Sequence, residues 1–188
     1  MRAVHLASSL GLAIVLAACS ETIEQPSTVE VALQFSQHGS HNFGSALSGA
    51  EENPPVATQA RGNAIFQLSD DGSTLHYKLI VAHIDNVTQA HIHCGPAGVN
   101  GPIVLWLYPS APPLQLIPGT SNGILNEDDA TSTDVIARAD SPACPGGVAT
   151  LADVVAKLAN GGAYANVHTS AFPPGEIRGQ IEERGPSR

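Results

Sequence analysis

Apolar residues recur at every second position in two neighbouring segments, and this spacing most limits the folds open to the chain. Residues 64–68 and 75–81 both follow the pattern, with Asp71-Gly72 between them. Period two is the spacing of a half-buried β-strand, and Asp-Gly is typical of a tight hairpin turn. The sequence therefore predicts a β-hairpin.

Further short segments, each followed by Gly, Pro or Asn, predict an all-β antiparallel sandwich. The predicted strands are residues 90–93, 103–108, 164–169 and 176–181. One short helix is predicted near 148–159, where apolar residues have helical spacing and Asn160-Gly161-Gly162 marks the end. Residues 109–147 are predicted to be irregular. Strands at this spacing, separated by turn residues, favour a sandwich.

The N-terminus resembles the signal of a bacterial lipoprotein. Residues 6–18 are apolar or small, which is too short a run for the about twenty residues of a membrane span. The run ends in Leu16-Ala17-Ala18-Cys19, which looks like a lipobox, in which the cysteine is diacylated and becomes the new N-terminus. An ordinary secretory signal with a chance cysteine, or a buried apolar segment, is the alternative.

The lipobox predicts a signal peptide at residues 1–18 and a membrane anchor at Cys19. Residues 19–42 are then a polar tether, in which 29–35 is a candidate edge strand and His38 and His41 are solvated. The folded domain is expected at 43–182, with a tail at 183–188. Ser20 favours the outer membrane of the cell envelope in an organism that has one, because Asp at that position would favour the inner membrane.

Two cysteines remain once lipid occupies Cys19. Outside the cytoplasm, Cys94 and Cys144 form an even pair, which favours a disulfide. Closing a loop of about fifty residues would contribute roughly 4 kcal/mol. Two free thiols, or a soft metal site that uses Cys94 beside His93, are the alternatives.

The composition argues against nucleic acid as a partner. The formal net charge is −9, and it becomes about −10 when Arg2 is removed with the signal. An acidic domain does not bind phosphate backbones by bulk electrostatics. Residues 19–188 are enough for one domain with its own core.

Four segments together resemble the chordin-type (CHRD) domain, which occurs in extracellular chordin proteins and in many exported bacterial proteins. They are residues 47–56, 90–93 with the Gly-rich loop that follows, 164–169 and 175–180. Their order and spacing cover about residues 43–182. The resemblance implies a Greek-key or immunoglobulin-like β-sandwich and a location outside the cytoplasm. It implies no particular biochemical activity.

Three histidines form a candidate metal site. His91 and His93 share one face of a predicted strand, and His168 shares a face with Asn166 in another. If the apolar residues form the core, these polar residues lie on outer sheet faces, where neighbouring strands bring the histidines together. Such a set suits copper or zinc, with affinity falling as pH drops through about 6.5. The alternative is a structural network in which the imidazoles bond Glu176, Asn166 or backbone carbonyls.

Asn166, Glu176 and Arg178 are expected to support this polar face. Glu176 and Arg178 are two apart in the last strand and are predicted to pair on the sheet surface, contributing about 0–1 kcal/mol. The sequence has no motif of a catalytic nucleophile with its base, so it gives no positive support for an enzyme. We expect a non-enzymatic envelope module that binds a protein or glycan. The alternative is a copper- or zinc-binding protein, which could have a redox role.

The lipobox generates the first testable prediction. In the wild type, the intact mass of the mature protein should include acyl chains on Cys19, because two or more chains are needed for stable anchoring. Cys19→Ser should abolish acylation and leave an uncleaved or released form. An unmodified Cys19 in the wild-type mass spectrum would refute the lipoprotein hypothesis.

Overall fold

Eight strands and one α-helix make up residues 42–185, the part of the chain that the computed structural model describes. The predicted signal peptide, Cys19, the 29–35 edge strand, His38 and His41 lie outside the described residues. Within them, no helix is long and apolar enough to cross a membrane. In chain order the elements are β1 (Asn42–Ser48), β2 (Arg61–Leu68), β3 (Leu75–Cys94), β4 (Ile103–Tyr108), β5 (Ile117–Ala130), α1 (Leu151–Ala159), β6 (Ala163–Thr169), β7 (Ile177–Gln180) and β8 (Glu182–Arg184).

Five strands close into a barrel in the order β2-β1-β7-β6-β3, and β3 pairs again with β2. Each of these pairings is antiparallel. β4 and β5 add to β3, and β8 adds to β1. The prediction of an all-β antiparallel fold with one short helix is confirmed. The finer prediction of a Greek-key sandwich differs from the structure, because the sheet closes on itself and does not divide into two facing layers.

The 20-residue strand β3 allows the barrel to close because it bends in the middle. Its first half pairs with β2 and β5, and its second half pairs with β6 and β4. Between the halves, His83 and Asn86 have φ values of 55° and 53°, and the pairing register shifts. Such a bend lets one strand change partners. The sequence predicted two separate strands here because the apolar alternation stops between them.

The apolar core fills the barrel and extends beneath α1. Its largest fully buried side chains include Phe43, Phe66, Tyr77, Leu79 and Ile92. The helix begins after Thr150, whose side chain forms a capping box with Asp153, and it buries Leu151, Val154, Val155 and Leu158. The predicted helix is therefore present, starting three residues later than predicted because Thr150 acts as the N-cap.

Strand β5 corrects the prediction that residues 109–147 are irregular. It is 14 residues long and mostly exposed, and among residues 42–185 it pairs only with β3. Because most of its side chains are exposed, it needs little apolar alternation and leaves no periodic signal in the sequence. A short 3₁₀ turn, Ser132–Asp134, follows it.

The predicted disulfide between Cys94 and Cys144 is present. The two Cα atoms are 5.2 Å apart, and both cysteines are fully buried. The bond ties the end of β3 to the segment that leads into α1. It therefore fixes the chain immediately after His93.

Reduction of this disulfide should destabilise the protein. The bond closes a separation of 50 residues, so its loss is expected to lower the free energy of unfolding by roughly 4 kcal/mol through the entropy of the unfolded chain. Urea unfolding with and without reductant measures the change, and the Cys94→Ala/Cys144→Ala variant serves as the control that reductant must not affect. Non-reducing peptide maps with both thiols free would contradict the bond.

Candidate metal centre

A layer of polar side chains lies between the barrel wall and three covering segments, residues 49–56, 95–102 and 172–175. We call it the polar layer, and it consists of Glu52, His91, His93, Asn166, His168, Glu176 and Arg178. All seven are buried, and the exposed fraction of the most accessible, His93, is 9%. The sequence placed the last six of these on outer sheet faces. They are on the outside of the barrel wall, but the covering segments remove them from water.

Strand pairing brings His91, His93 and His168 together. In the register of β3 with β6, His91 faces Asn166, His93 faces Tyr164, and His168 lies beside Gln89, one diagonal step from His91. One ligand nitrogen from each of the three imidazoles lies within 4.8 Å of the other two. Nδ1 of His91 and Nε2 of His168 are within hydrogen-bonding distance, at 3.1 Å.

Backbone carbonyls orient two of the three rings. Nδ1 of His93 lies 2.9 Å from the oxygen of Gly101, and Nδ1 of His168 lies 2.9 Å from the oxygen of Pro173. Because a carbonyl only accepts, each Nδ1 must carry the proton, which leaves Nε2 as a lone pair. A carbonyl that holds the distal N–H is the usual outer partner of a metal-binding histidine.

Two imidazole nitrogens in this cluster have no hydrogen-bond partner. They are Nε2 of His91 and Nε2 of His93, and both are buried. Only four buried side-chain polar atoms within residues 42–185 lack a partner, and a third is Oδ1 of Asn166 in the same layer. Each unsatisfied buried polar group lowers the stability of the fold by about 1–3 kcal/mol. Three such atoms in one layer therefore indicate that a binding partner is missing.

Burial keeps the three imidazoles neutral. It lowers the pKa of His91 to about 2, with His168 and His93 contributing further, and it lowers the pKa of His93 to about 4. The pKa of His168 is also lowered by burial. Neutral imidazole is the form that binds metal. The expectation that affinity falls as pH drops through 6.5 stays a prediction, and the lowered pKa values of His91 and His93 move the pH at which protons compete with the metal below that value.

The ligand nitrogens must move closer together to bind one ion. Ligand nitrogens about 2.0–2.1 Å from a zinc-like ion can be at most about 4.2 Å apart, and about 3.3 Å apart in a tetrahedral site. The 3.1 Å pair is a hydrogen bond in which Nδ1 of His91 donates, because Nε2 of His168 is a lone pair, so His91 would bind an ion through its own Nε2. Nitrogens 4.8 Å apart would have to approach by about 1.5 Å to reach the tetrahedral separation.

Glu176 and Arg178 do not form the predicted ion pair. Glu176 accepts hydrogen bonds from the hydroxyls of Thr58, at 2.7 Å, and Thr169, at 2.8 Å. The guanidinium of Arg178 lies 3.4 Å from the ring centre of Tyr164 and donates to loop oxygens, at 2.9 Å to Asn100 Oδ1 and 2.9 Å to Val99 O. Arg178 thus holds the 95–102 segment over the histidines. Sequence spacing could not show this, because the covering segment supplies the acceptors.

Three residues near the cluster had no predicted role. Trp106 contacts His91 edge-on, with ring centres 4.3 Å apart, and Tyr164 stacks on His93 at 4.9 Å. Both oxygens of Glu52 accept from Nδ2 of Asn166, at 3.0 and 3.1 Å. Glu52 belongs to a segment that carries the family resemblance, and this is the only signal that could have singled it out.

The fold and site define a closed antiparallel β-barrel domain with a buried three-histidine cluster on its wall. A model of the CHRD domain matches residues 43–181, which is most of the chain and nearly all of the barrel. The chain belongs to the CHRD domain family, as its four motif segments indicated. Searches of the curated proteins and of the solved structures gave no match.

The shifted pKa values predict that acid destabilises the metal-free protein. Between about pH 4.5 and 6.5 the unfolded chain binds a proton on each of the three histidines, whereas the folded chain keeps His91 and His93 neutral, and burial also lowers the pKa of His168. Glu52 opposes this, because burial raises its pKa to about 7 and the folded state keeps its proton. A net uptake of one to two protons on unfolding lowers the free energy of unfolding by roughly 1.4–2.7 kcal/mol per pH unit as pH falls.

Urea unfolding across this pH range measures the slope. Glu52→Gln should steepen it by about one proton, or roughly 1.4 kcal/mol per pH unit. His83→Asn removes an exposed imidazole at a positive φ that Asn tolerates, so it should leave the slope unchanged. A slope near zero in the wild type would show that the cluster is protonated in the folded state.

Proposed function

We propose that this protein is an exported, non-enzymatic CHRD module that binds one copper or zinc ion through His91, His93 and His168. The observation that carries the proposal is the pair of buried, unpartnered nitrogens, Nε2 of His91 and Nε2 of His93. Both belong to the cluster of neutral rings in which one ligand nitrogen from each of the three histidines lies within 4.8 Å of the other two. A single cation would accept the lone pairs of both nitrogens at once.

The competing account is a structural network in which hydrogen bonds satisfy the imidazoles. That account explains the Nδ1 atoms of His93 and His168, which face backbone carbonyls. It leaves Nε2 of His91 and Nε2 of His93 unexplained, since buried polar atoms in native proteins are nearly always satisfied. The metal hypothesis explains the oriented rings and the free lone pairs together.

Three imidazoles favour zinc or copper over magnesium or calcium, which prefer oxygen ligands. When bound, such an ion supplies a Lewis-acidic or redox-active centre with a coordination position left open. The residues of this chain bind and orient it: His93 and His168 are fixed by Gly101 and Pro173, and the covering segments exclude water.

The cell envelope is the location that we propose for this module. Lipidated Cys19 would anchor it in the membrane, and residues 20–41 would separate the barrel from the lipid surface. The sequence motif at residues 16–19 and the presence of a disulfide support a compartment outside the cytoplasm. Display there allows the outer barrel surface to contact a protein or glycan partner.

Metal binding can be tested with the protein's single tryptophan. Because Trp106 contacts His91, Cu²⁺ in the cluster should quench its fluorescence with a stoichiometry of one, and Zn²⁺ should compete for the same site. His168→Gln keeps an amide that can bond Pro173 but removes the ligand nitrogen. It should weaken Cu²⁺ binding at least about tenfold, or 1.4 kcal/mol.

The matched control is His83→Asn, which removes an exposed histidine elsewhere on β3 and should leave the titration unchanged. Metal content of protein purified without a polyhistidine tag, measured by mass spectrometry, gives an independent readout. Equal Cu²⁺ affinity in the wild type and His168→Gln, both folded by circular dichroism, would leave the structural network as the better account.

A further inference from the structure

A cavity of about 380 Å³ opens beside the polar layer, between residues 52–56 and the 172–175 segment. Its volume is in the range of small-molecule sites. Apolar side chains line much of its wall, namely Pro54, Val56, Phe172 and Pro174. His93 contributes one edge, whereas His91 and His168 do not line it. The cavity is thus a neighbour of the histidine cluster and not part of it.

The polar part of the cavity is built from hydrogen-bond acceptors. Glu52 supplies a carboxyl group that is 8% exposed, and Asn166 supplies Oδ1, which is buried without a partner. Gly175 stands beside them with a φ of 139°, and a Cβ there would lie 2.5 Å from Asn166 Oδ1 and 2.6 Å from Glu52 Oε1. The missing side chain leaves the space beside these two acceptors free.

The side-chain amides that line the cavity already donate to protein oxygens. Nδ2 of Asn166 donates to Glu52, Nδ2 of Asn100 donates to the backbone oxygen of Asn53, and Nδ2 of Asn53 donates to Gly98. Each of these amides thus already donates to the protein, while Oδ1 of Asn166 has no donor. A complementary ligand must bring its own donors.

Glu52 also has no ion-pair partner among residues 42–185. The charge of Arg178 acts on it and lowers its pKa, but the guanidinium directs its hydrogen bonds to Asn100 and Val99. A buried carboxylate without a paired charge is costly, which is why burial raises the pKa of Glu52 to about 7. A cation in the cavity would stabilise the charged form.

We propose that this cavity binds a small primary ammonium group with a short apolar chain, through Glu52 and Asn166 Oδ1. The three N–H donors of an ammonium match the carboxylate and the free amide oxygen. The alkyl chain then packs on the walls formed by Pro54, Val56, Phe172 and Pro174. This site goes beyond the proposed metal function and does not depend on it.

The test uses metal-free mature protein and titration calorimetry at about pH 8, above the pKa of Glu52. The probes are methylammonium, n-propylammonium and n-hexylammonium chlorides, with n-hexanol as the uncharged analogue. We expect affinity to rise with chain length and n-hexanol to bind more weakly than n-hexylammonium. Glu52→Gln keeps an acceptor oxygen but removes the charge, and it should weaken n-hexylammonium binding at least about tenfold.

Glu51→Gln is the matched control, since Glu51 is exposed next to Glu52 and does not line the cavity. It should leave binding unchanged. His168→Gln should lose Cu²⁺ binding yet keep n-hexylammonium binding, so failure of the metal site and failure of the amine site are separable. No binding by the wild type, or equal binding by Glu52→Gln, would overturn the proposal.

Discussion

The bend in strand β3 is the constraint on which the rest of the structure depends. One strand pairs with four others because its halves run along different edges on either side of His83 and Asn86. β5 stabilises the bend, since Asn122 Oδ1 accepts from the N–H of His83 and the N–H of Gly119 donates to Asn86. Closure of the barrel places the second half of β3 beside β6, and this pairing creates the polar layer.

Covering segments turn that polar face into a buried site. On an open sheet, His91, Asn166 and Arg178 would be solvated, with ordinary pKa values and weak ion pairs. Arg178 instead binds oxygens of the 95–102 segment, and the Cys94–Cys144 disulfide fixes the start of that segment. Removal of water makes each missing partner costly and keeps the imidazoles neutral.

The sequence predicted what depends on spacing within one strand. Period two was enough to place His91 and His93 on a common face, and the cysteine count was enough to pair Cys94 with Cys144. The sequence prediction failed for features that depend on tertiary contacts. Alternation shows which face is buried but not which edges pair, so the closed barrel was not foreseen, and exposed β5 left no pattern. The predicted Glu176–Arg178 ion pair was wrong because other groups satisfy both side chains, hydroxyls for Glu176 and loop carbonyls for Arg178. Strand spacing gives no information about these partners.

The polar layer has more hydrogen-bond acceptors than donors available to them. Nε2 of His91, Nε2 of His93 and Oδ1 of Asn166 are buried acceptors without donors, and Glu52 shares a single amide between its two oxygens. The main donor of the layer, Arg178, is already engaged by the covering segment. Water can supply only two donors at a time, and each ordered water costs entropy. Cations satisfy several lone pairs at once, so the same imbalance supports both proposals, a metal ion at the histidines and an ammonium group at the carboxylate.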